Sequence, residues 1–285
     1  MSILKIEGMN ISINGKDVIK NASFLIEKGD VLLLTGPNGS GKSTIIRAVM
    51  GDVFDYGPAL SVSVAGLVFD DGKNEYDLKD GEKPREHFRK NVCYISQDDS
   101  FESESVLDCF LMSLDYLRLD NPHRYTLDFI KKNRIYECFG IADENLDFKS
   151  KKIIKWAGLS SNEIDAEYIK SAKYLTMNTR KMSGGQKKLT NILSNLVKCE
   201  FSKLVFIDEP LNNLDYNNVR VFSNIITKLY RENPDLGMII VTHCRSIPII
   251  NRVLEIDIDI KELQSGEGYY CNSCFGKTDE SGLYV

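Results

Sequence analysis

Apolar residues cluster along this chain in two rhythms. One is a set of short runs without alternation: Val-Leu-Leu-Leu-Thr at 31–35, Leu-Val-Phe-Ile at 204–207 and Met-Ile-Ile-Val at 238–241. Short, continuously apolar runs bounded by turn signals fit strands buried on both faces. Residues 91–96 hold a further strand-like run, with Val92, Tyr94 and Ile95. The other rhythm is helical. Val219, Phe222, Ile225, Ile226 and Leu229 recur at spacings of three and four, which places them on one helix face. Strands alternating with such helices predict a parallel sheet covered by helices.

The first third reads differently, as short strands and turns. Residues 3–6 and 11–13 are apolar segments split by Gly8-Met9-Asn10, and Asn14-Gly15 is a turn signal. Residues 22–26 predict another strand, followed by a turn at Lys28-Gly29-Asp30. From about 105 to 174 the helical rhythm takes over. Leu107, Phe110, Leu111, Leu114 and Leu117 fit it, as do Phe129, Ile130, Asn133, Tyr136 and Glu137 in part. This stretch predicts a helical subdomain inserted into the α/β core.

Composition narrows the class. The 285 residues are 42% hydrophobic and 27% charged, as in a soluble globular chain of one large domain or two small ones. There are 36 basic and 41 acidic residues, a net charge of −5, which excludes a globally basic nucleic-acid binder. No apolar run approaches the roughly 18 residues of a spanning helix, and the first eight residues lack a signal-peptide pattern. Seven scattered cysteines suit a reducing cytosol. The expected location is therefore cytoplasmic.

Two segments carry chemistry. Gly36-Pro37-Asn38-Gly39-Ser40-Gly41-Lys42-Ser43-Thr44 follows a predicted strand and fits the phosphate-loop pattern, Gly, four residues, Gly-Lys-Ser/Thr. Its glycines let backbone N–H groups turn inward as a nest for phosphate oxygens, and the following helix adds the positive end of its dipole. Lys42 is expected on the β- and γ-phosphates and Ser43 on Mg²⁺. Far downstream, the run at 204–207 ends in Asp208 and Glu209. Asp208 is expected to hold Mg²⁺ and Glu209 to act as general base toward an attacking water.

Between these two segments lies Lys181-Met182-Ser183-Gly184-Gly185-Gln186, ahead of a helical stripe of Leu189, Ile192, Leu193, Leu196 and Val197. Here the sequence resembles the ATP-binding cassette (ABC) family, whose signature is Leu-Ser-Gly-Gly-Gln; Met182 replaces the leading Leu. Further elements match in order: Gln97 the glutamine loop that senses Mg²⁺, Asn212-Asn213-Leu214-Asp215 the D-loop, and His243 the switch histidine. The resemblance implies an α/β fold: a phosphate-loop NTPase core with a mostly parallel sheet, an N-terminal antiparallel β subdomain and an inserted helical signature subdomain. It places the ATPase domain at 1–258, with the helical subdomain at about 105–182, and leaves a tail at 259–285.

By the same resemblance, two cassettes pair head to tail. ATP and Mg²⁺ lie between Lys42 and its loop on one copy and Ser183, Gly184, Gly185 and Gln186 on the other. The catalytic residues are Glu209, His243 and Lys42; the metal is held by Ser43, Gln97 and Asp208. The partner is a second copy or a related cassette. The expected function is the ATP-hydrolysing subunit of a transporter, peripheral to a membrane and bound to a separate permease. The alternative is a soluble switch ATPase in cofactor assembly, translation or nucleic-acid defence. Nucleic acid is not otherwise indicated as a partner.

The sequence departs from the family in several places. Ile13 stands where an aromatic commonly stacks on adenine, so a ring–ring contact is lost. The D-loop is unlike the small-residue version common in transporters. The span from Gln97 to Ser183 is long, which fits a specialised partner or a tolerated surface insertion. Lys149, Lys151, Lys152 and Lys155 form a basic run that fits a solvated helix face, or a surface meeting phosphate or anionic lipid. In the tail, Cys271 and Cys274 have half a zinc-site spacing, although reduced loop thiols explain them as well.

Overall fold

The computed structural model describes residues 1–51, 60–96, 103–209, 216–242, 249–250, 252–257 and 259–263. The elements run β1 (Ser2–Ile13), β2 (Lys16–Glu27), β3 (Val31–Thr35), α1 (Lys42–Met50), β4 (Leu60–Ser63), β5 (Gly66–Asp70), β6 (Glu75–Asp77), α2 (Glu82–Lys90) and β7 (Val92–Ile95). Helices follow: α3 (Val106–Leu114), α4 (Pro122–Lys132), α5 (Ile135–Cys138), α6 (Phe148–Trp156), α7 (Ala166–Leu175) and α8 (Gly184–Leu196). The chain then returns to β8 (Leu204–Asp208), α9 (Tyr216–Glu232), β9 (Gly237–Val241), β10 (Arg252–Asp257) and β11 (Asp259–Leu263). These divide into two compact units. One takes in described residues within Met1–Gln97, Cys199–Asn212 and Thr227–Val285; the other, those within Asp98–Lys198 and Asn213–Ile226. The second unit thus extends past the 105–182 helical stretch and includes the signature helix α8.

The first unit contains two sheets among the described residues. The antiparallel sheet has the order β2-β1-β5-β6, with β4 also on β1. The other sheet has the order β11-β10-β3-β9-β8-β7. From β10 to β7 every pairing is parallel, and β11 adds antiparallel to the edge. The non-alternating runs become β3, β8 and β9, and every residue in them is buried. That is the burial a strand acquires when both faces are covered. Asp259–Leu263 of the predicted tail forms β11 and so belongs to the sheet.

One expected break is a bulge. Residues 3–6 and 11–13 lie on one strand, β1, whose register to β2 shifts between Ile6 and Met9. Gly8 sits at φ +59 there, and its N–H donates to Ser23 Oγ at 2.9 Å. An extra residue in the left-handed region is accommodated in a ladder as a bulge, and glycine carries it without a Cβ penalty. The core of this unit joins both sheets: Phe69 meets Phe88 edge-on at 5.0 Å, and Phe88 meets Phe206 at 6.4 Å.

The second unit is helical. Ser105, Asn121, Asp147, Asp165 and Ser183 each cap a helix by accepting a backbone N–H, which satisfies donors the helix itself leaves open. The residues around 129–137 do not make one helix: α4 ends at Lys132, and Arg134 at φ +50 turns the chain into α5. Phe110, Phe129, Tyr136 and Tyr174 are buried at its centre. No described helix is long and apolar enough to cross a membrane.

Candidate functional site

The parallel sheet brings its strand ends to one edge. Leu34 of β3 pairs with Val241 of β9, and Val241 pairs with Asp208 of β8. Ile95 of β7 pairs with Ile207, one residue before Asp208. Carboxyl ends of parallel strands are where open α/β sheets bind ligands. The phosphate loop leaves β3 at this edge and enters α1.

The loop has the backbone of a cradle. Gly36, Gly39 and Gly41 have φ of 139°, 79° and 92°. At Gly41 a Cβ would stand 2.8 Å from Val18 Cγ1 and 3.1 Å from Ile19, so β2 closes the space behind the loop. Sequence reasoning missed Val18 and Ile19 as supports, because no local pattern tells which strand lies behind a glycine. Among α1–α8, α1 is the helix that starts with neither a capping side chain nor an acidic first turn. Its opening N–H groups and dipole are thus left for an anion. Ser40 Oγ, in the same loop, is buried and has no hydrogen-bond partner among the described residues. These features fit a polyphosphate.

Lys42 is 5% exposed, and its Nζ donates to the carbonyls of Gly36 at 2.9 Å and Pro37 at 2.8 Å. Burial lowers its pKa, while Glu209 and Asp208 pull it back up. Ser43 Oγ donates to Asp208 Oδ1 at 2.9 Å, and Asp208 is fully buried. A hydroxyl and a carboxylate oxygen side by side next to a phosphate cradle are hard oxygen donors of the kind Mg²⁺ takes. Glu209 follows with φ +44, and its N–H donates to Val241 O at 2.8 Å. A non-glycine residue in that region is strained, and the β9 carbonyl holds it there.

The structure therefore brings together Gly36, Pro37, Asn38, Gly39, Ser40, Gly41, Lys42, Ser43, Thr44, Asp208 and Glu209 in the first unit. Gln97, His243, the D-loop at 212–215, Cys271 and Cys274 lie outside the described residues. Ser183, Gly184, Gly185 and Gln186 open α8 in the second unit. Ser183 Oγ accepts from Gln186 N–H at 3.3 Å, and Ser183 N–H donates to Gln186 Oε1 at 3.1 Å, a reciprocal capping box. Met182, which replaces the leading Leu of the signature, is buried, and Thr190 Oγ1 donates to its sulfur at 3.7 Å. Gly185 faces Asn218 of α9: a Cβ there would stand 3.3 Å from Asn218 Nδ2.

A family model described as "ABC transporter" matches residues 19–212. The chain belongs to the ABC transporter family. The cassette is 30% identical over 243 residues to a probable ABC transporter ATP-binding protein of Streptococcus pyogenes serotype M18, covering 85% of this chain and 79% of that protein. It is 23% identical over 242 residues to the zinc uptake system ATP-binding protein ZurA of Listeria innocua, covering 85% and 76%. Among solved structures, it resembles an ATP-binding cassette of an ABC transporter in its ADP conformation: TM-score 0.60, 20% identity, 94% of this chain and 92% of that one. That likeness bears out the α/β cassette fold, with its antiparallel N-terminal sheet and mostly parallel second sheet.

Proposed function

We propose that this cassette binds Mg·ATP and hydrolyses it, as the nucleotide-binding subunit of a transporter whose membrane-spanning part is a separate chain. The observation that carries the chemistry is the convergence of Lys42, Ser43, Asp208 and Glu209 at one sheet edge. The transport role rests on the family and on relatives named as ATP-binding proteins of transporters.

The residues have separate tasks. The loop N–H groups and the start of α1 take the phosphate oxygens. Lys42 exchanges its two loop carbonyls for the β- and γ-phosphates and balances charge as the γ-phosphoryl group separates. Ser43 and Asp208, with Gln97, are the groups that would hold Mg²⁺. When bound, the metal polarises the phosphate oxygens and neutralises developing charge. Glu209 accepts a proton from the water that attacks the γ-phosphorus; the bond to the bridging oxygen breaks, leaving ADP and inorganic phosphate. His243 is assigned to the γ-phosphate side.

This chain carries one phosphate loop and one signature, so a complete site takes Ser183 to Gln186 from a second cassette. Purified chain should release phosphate from ATP only with Mg²⁺, with turnover per cassette rising as protein concentration favours pairing. Absence of ATP-dependent pairing and of turnover would sink the ATPase reading. Tagged protein recovered from detergent extracts without any membrane protein would sink the transport role alone.

A further inference from the structure

The basic run at 149–155 acquires a second property in the structure. Helix α6 buries Ser150, Ile153 and Ile154 and turns everything else outward. Lys149, Lys151, Lys152 and Lys155 are all exposed. So are two aromatic rings on the same side: Phe148 is 81% exposed and Trp156 46%. At 100° per residue, Phe148 stands at the middle of the outer face with Lys152 and Lys155 flanking it, and Trp156 lies beside Lys152. The Lys152 ammonium is 4.8 Å from the Trp156 ring. One side of Trp156 is anchored, by Asn121 Nδ2 donating to its carbonyl at 3.2 Å and by the His123 ring at 5.3 Å.

The acids nearby are occupied elsewhere. Asp143 and Glu144 pair with Lys173 and Lys170 of α7, Asp147 caps α6, and Glu163 takes Ser160 and Arg124. Lys149, Lys151 and Lys155 take no ion pair among the described residues. Beside them, a shallow cleft of about 430 Å³ has an apolar floor of Leu146, Ile154, Leu159 and Ile164, with Lys151 and Lys155 on its rim.

We infer that the outer face of α6 is a docking surface for an anionic phospholipid membrane. Exposed rings suit the apolar–aqueous boundary, and lysines on long stems meet a diffuse layer of headgroup charge. The run holds lysines and no arginine, the residue favoured where phosphates are gripped by planar, bidentate contacts. The chain as a whole is acidic, so attraction to an anionic surface has to be local. The ATPase reading does not enter this inference, and neither stands or falls with the other.

Trp156 is the only tryptophan of the chain, so its emission reports on this face alone. The full chain is titrated with phosphatidylcholine vesicles, and with the same vesicles holding roughly 30% phosphatidylglycerol. The expected result is a blue shift and co-flotation with the anionic vesicles only, weakening as salt rises. Combined Lys149→Glu, Lys152→Glu and Lys155→Glu should raise the lipid needed at least about tenfold. Phe148→Ser should raise it severalfold while leaving vesicle-free ATP turnover unchanged. No blue shift in the wild-type protein would overturn the inference, as would equal binding of the lysine variant. Tighter, lysine-dependent binding to a single-stranded oligonucleotide than to the vesicles would assign the face to nucleic acid instead. Because the wild-type shift is itself decisive, a variant that misfolds does not rescue the idea.

Discussion

Ser43 Oγ donates to Asp208 Oδ1 at 2.9 Å across 165 residues of sequence. That bond ties the first turn of α1 to the end of β8 and sets two oxygen donors beside the phosphate loop. Asp208→Asn keeps the shape and removes the charge, so it should lower Mg²⁺ affinity by about 10-fold or more. Ser43→Ala should shift it less, since a neutral oxygen is lost. Magnesium titrations of ATP turnover check both, and an unchanged Mg²⁺ dependence in Asp208→Asn would remove Asp208 from the metal site.

Glu209 sits one residue beyond, at φ +44, with its N–H on Val241 O. In the proposed function this carboxylate takes the proton, while the phosphate loop holds the phosphates. Glu209→Gln should therefore cut turnover by about 10²-fold or more with ATP binding kept. Rapid-mix phosphate release and nucleotide binding should be measured side by side. Near-normal turnover would refute the role of base.

Lys42 sits among its own loop's carbonyls, 5% exposed. Lys42→Ala should weaken ATP binding by about 10-fold or more, consistent with loss of a charge-assisted contact. Equal affinity for ATP in that variant would count against the proposed cradle.

Gly41 separates two costs. Its φ of +92 penalises any side chain, and its Cβ would also strike Val18 at 2.8 Å. Gly39, at φ +79, has open space around its Cβ position. Gly41→Ala should thus destabilise by about 1–3 kcal/mol and more than Gly39→Ala. Adding Val18→Ala should recover part of that loss. Denaturant unfolding decides, and equal losses at the two glycines would mean that the β2 contact is unimportant.

What the sequence made readable follows from locality. β3, β8 and β9 were plain because burial on both faces leaves an unbroken apolar run, and the phosphate loop because its chemistry sits in nine adjacent residues. The Ser43–Asp208 pairing was reachable only as two motifs known to meet, since spacing does not say which strand lies opposite α1. Gly8 looked like a break between strands, but its N–H on Ser23 Oγ across the ladder and the register shift between Ile6 and Met9 make it a bulge. Likewise the 149–155 lysines left a solvated face and a surface for phosphate or anionic lipid both open, because a charge count ignores the exposed Phe148 and Trp156 on the same helix.

Asp71 offers a test by acid. Its carboxylate accepts from the N–H groups of Asn74 at 2.9 Å and Lys73 at 2.8 Å, is bonded to His87 Nε2 at 2.9 Å, and accepts from Tyr76 O–H at 3.2 Å. The Asn74 N–H is the largest influence; with the other donors, and against some desolvation, it holds the pKa at about 2. An unfolded aspartate titrates near 4. Because the folded value is the lower one, the charged group contributes stability that is present above about pH 4 and lost as pH falls toward 2. Asp71→Asn should therefore destabilise the chain at pH 7, and the gap to wild type should shrink between about pH 4 and pH 3. The ring stack of Tyr76 on His87, at 4.3 Å, rests on the same carboxylate, so His87→Ala should narrow that pH-dependent gap as well. Urea unfolding at pH 7, 4 and 3 measures this, and a gap that stays constant across the three would show that Asp71 gains nothing from its charge.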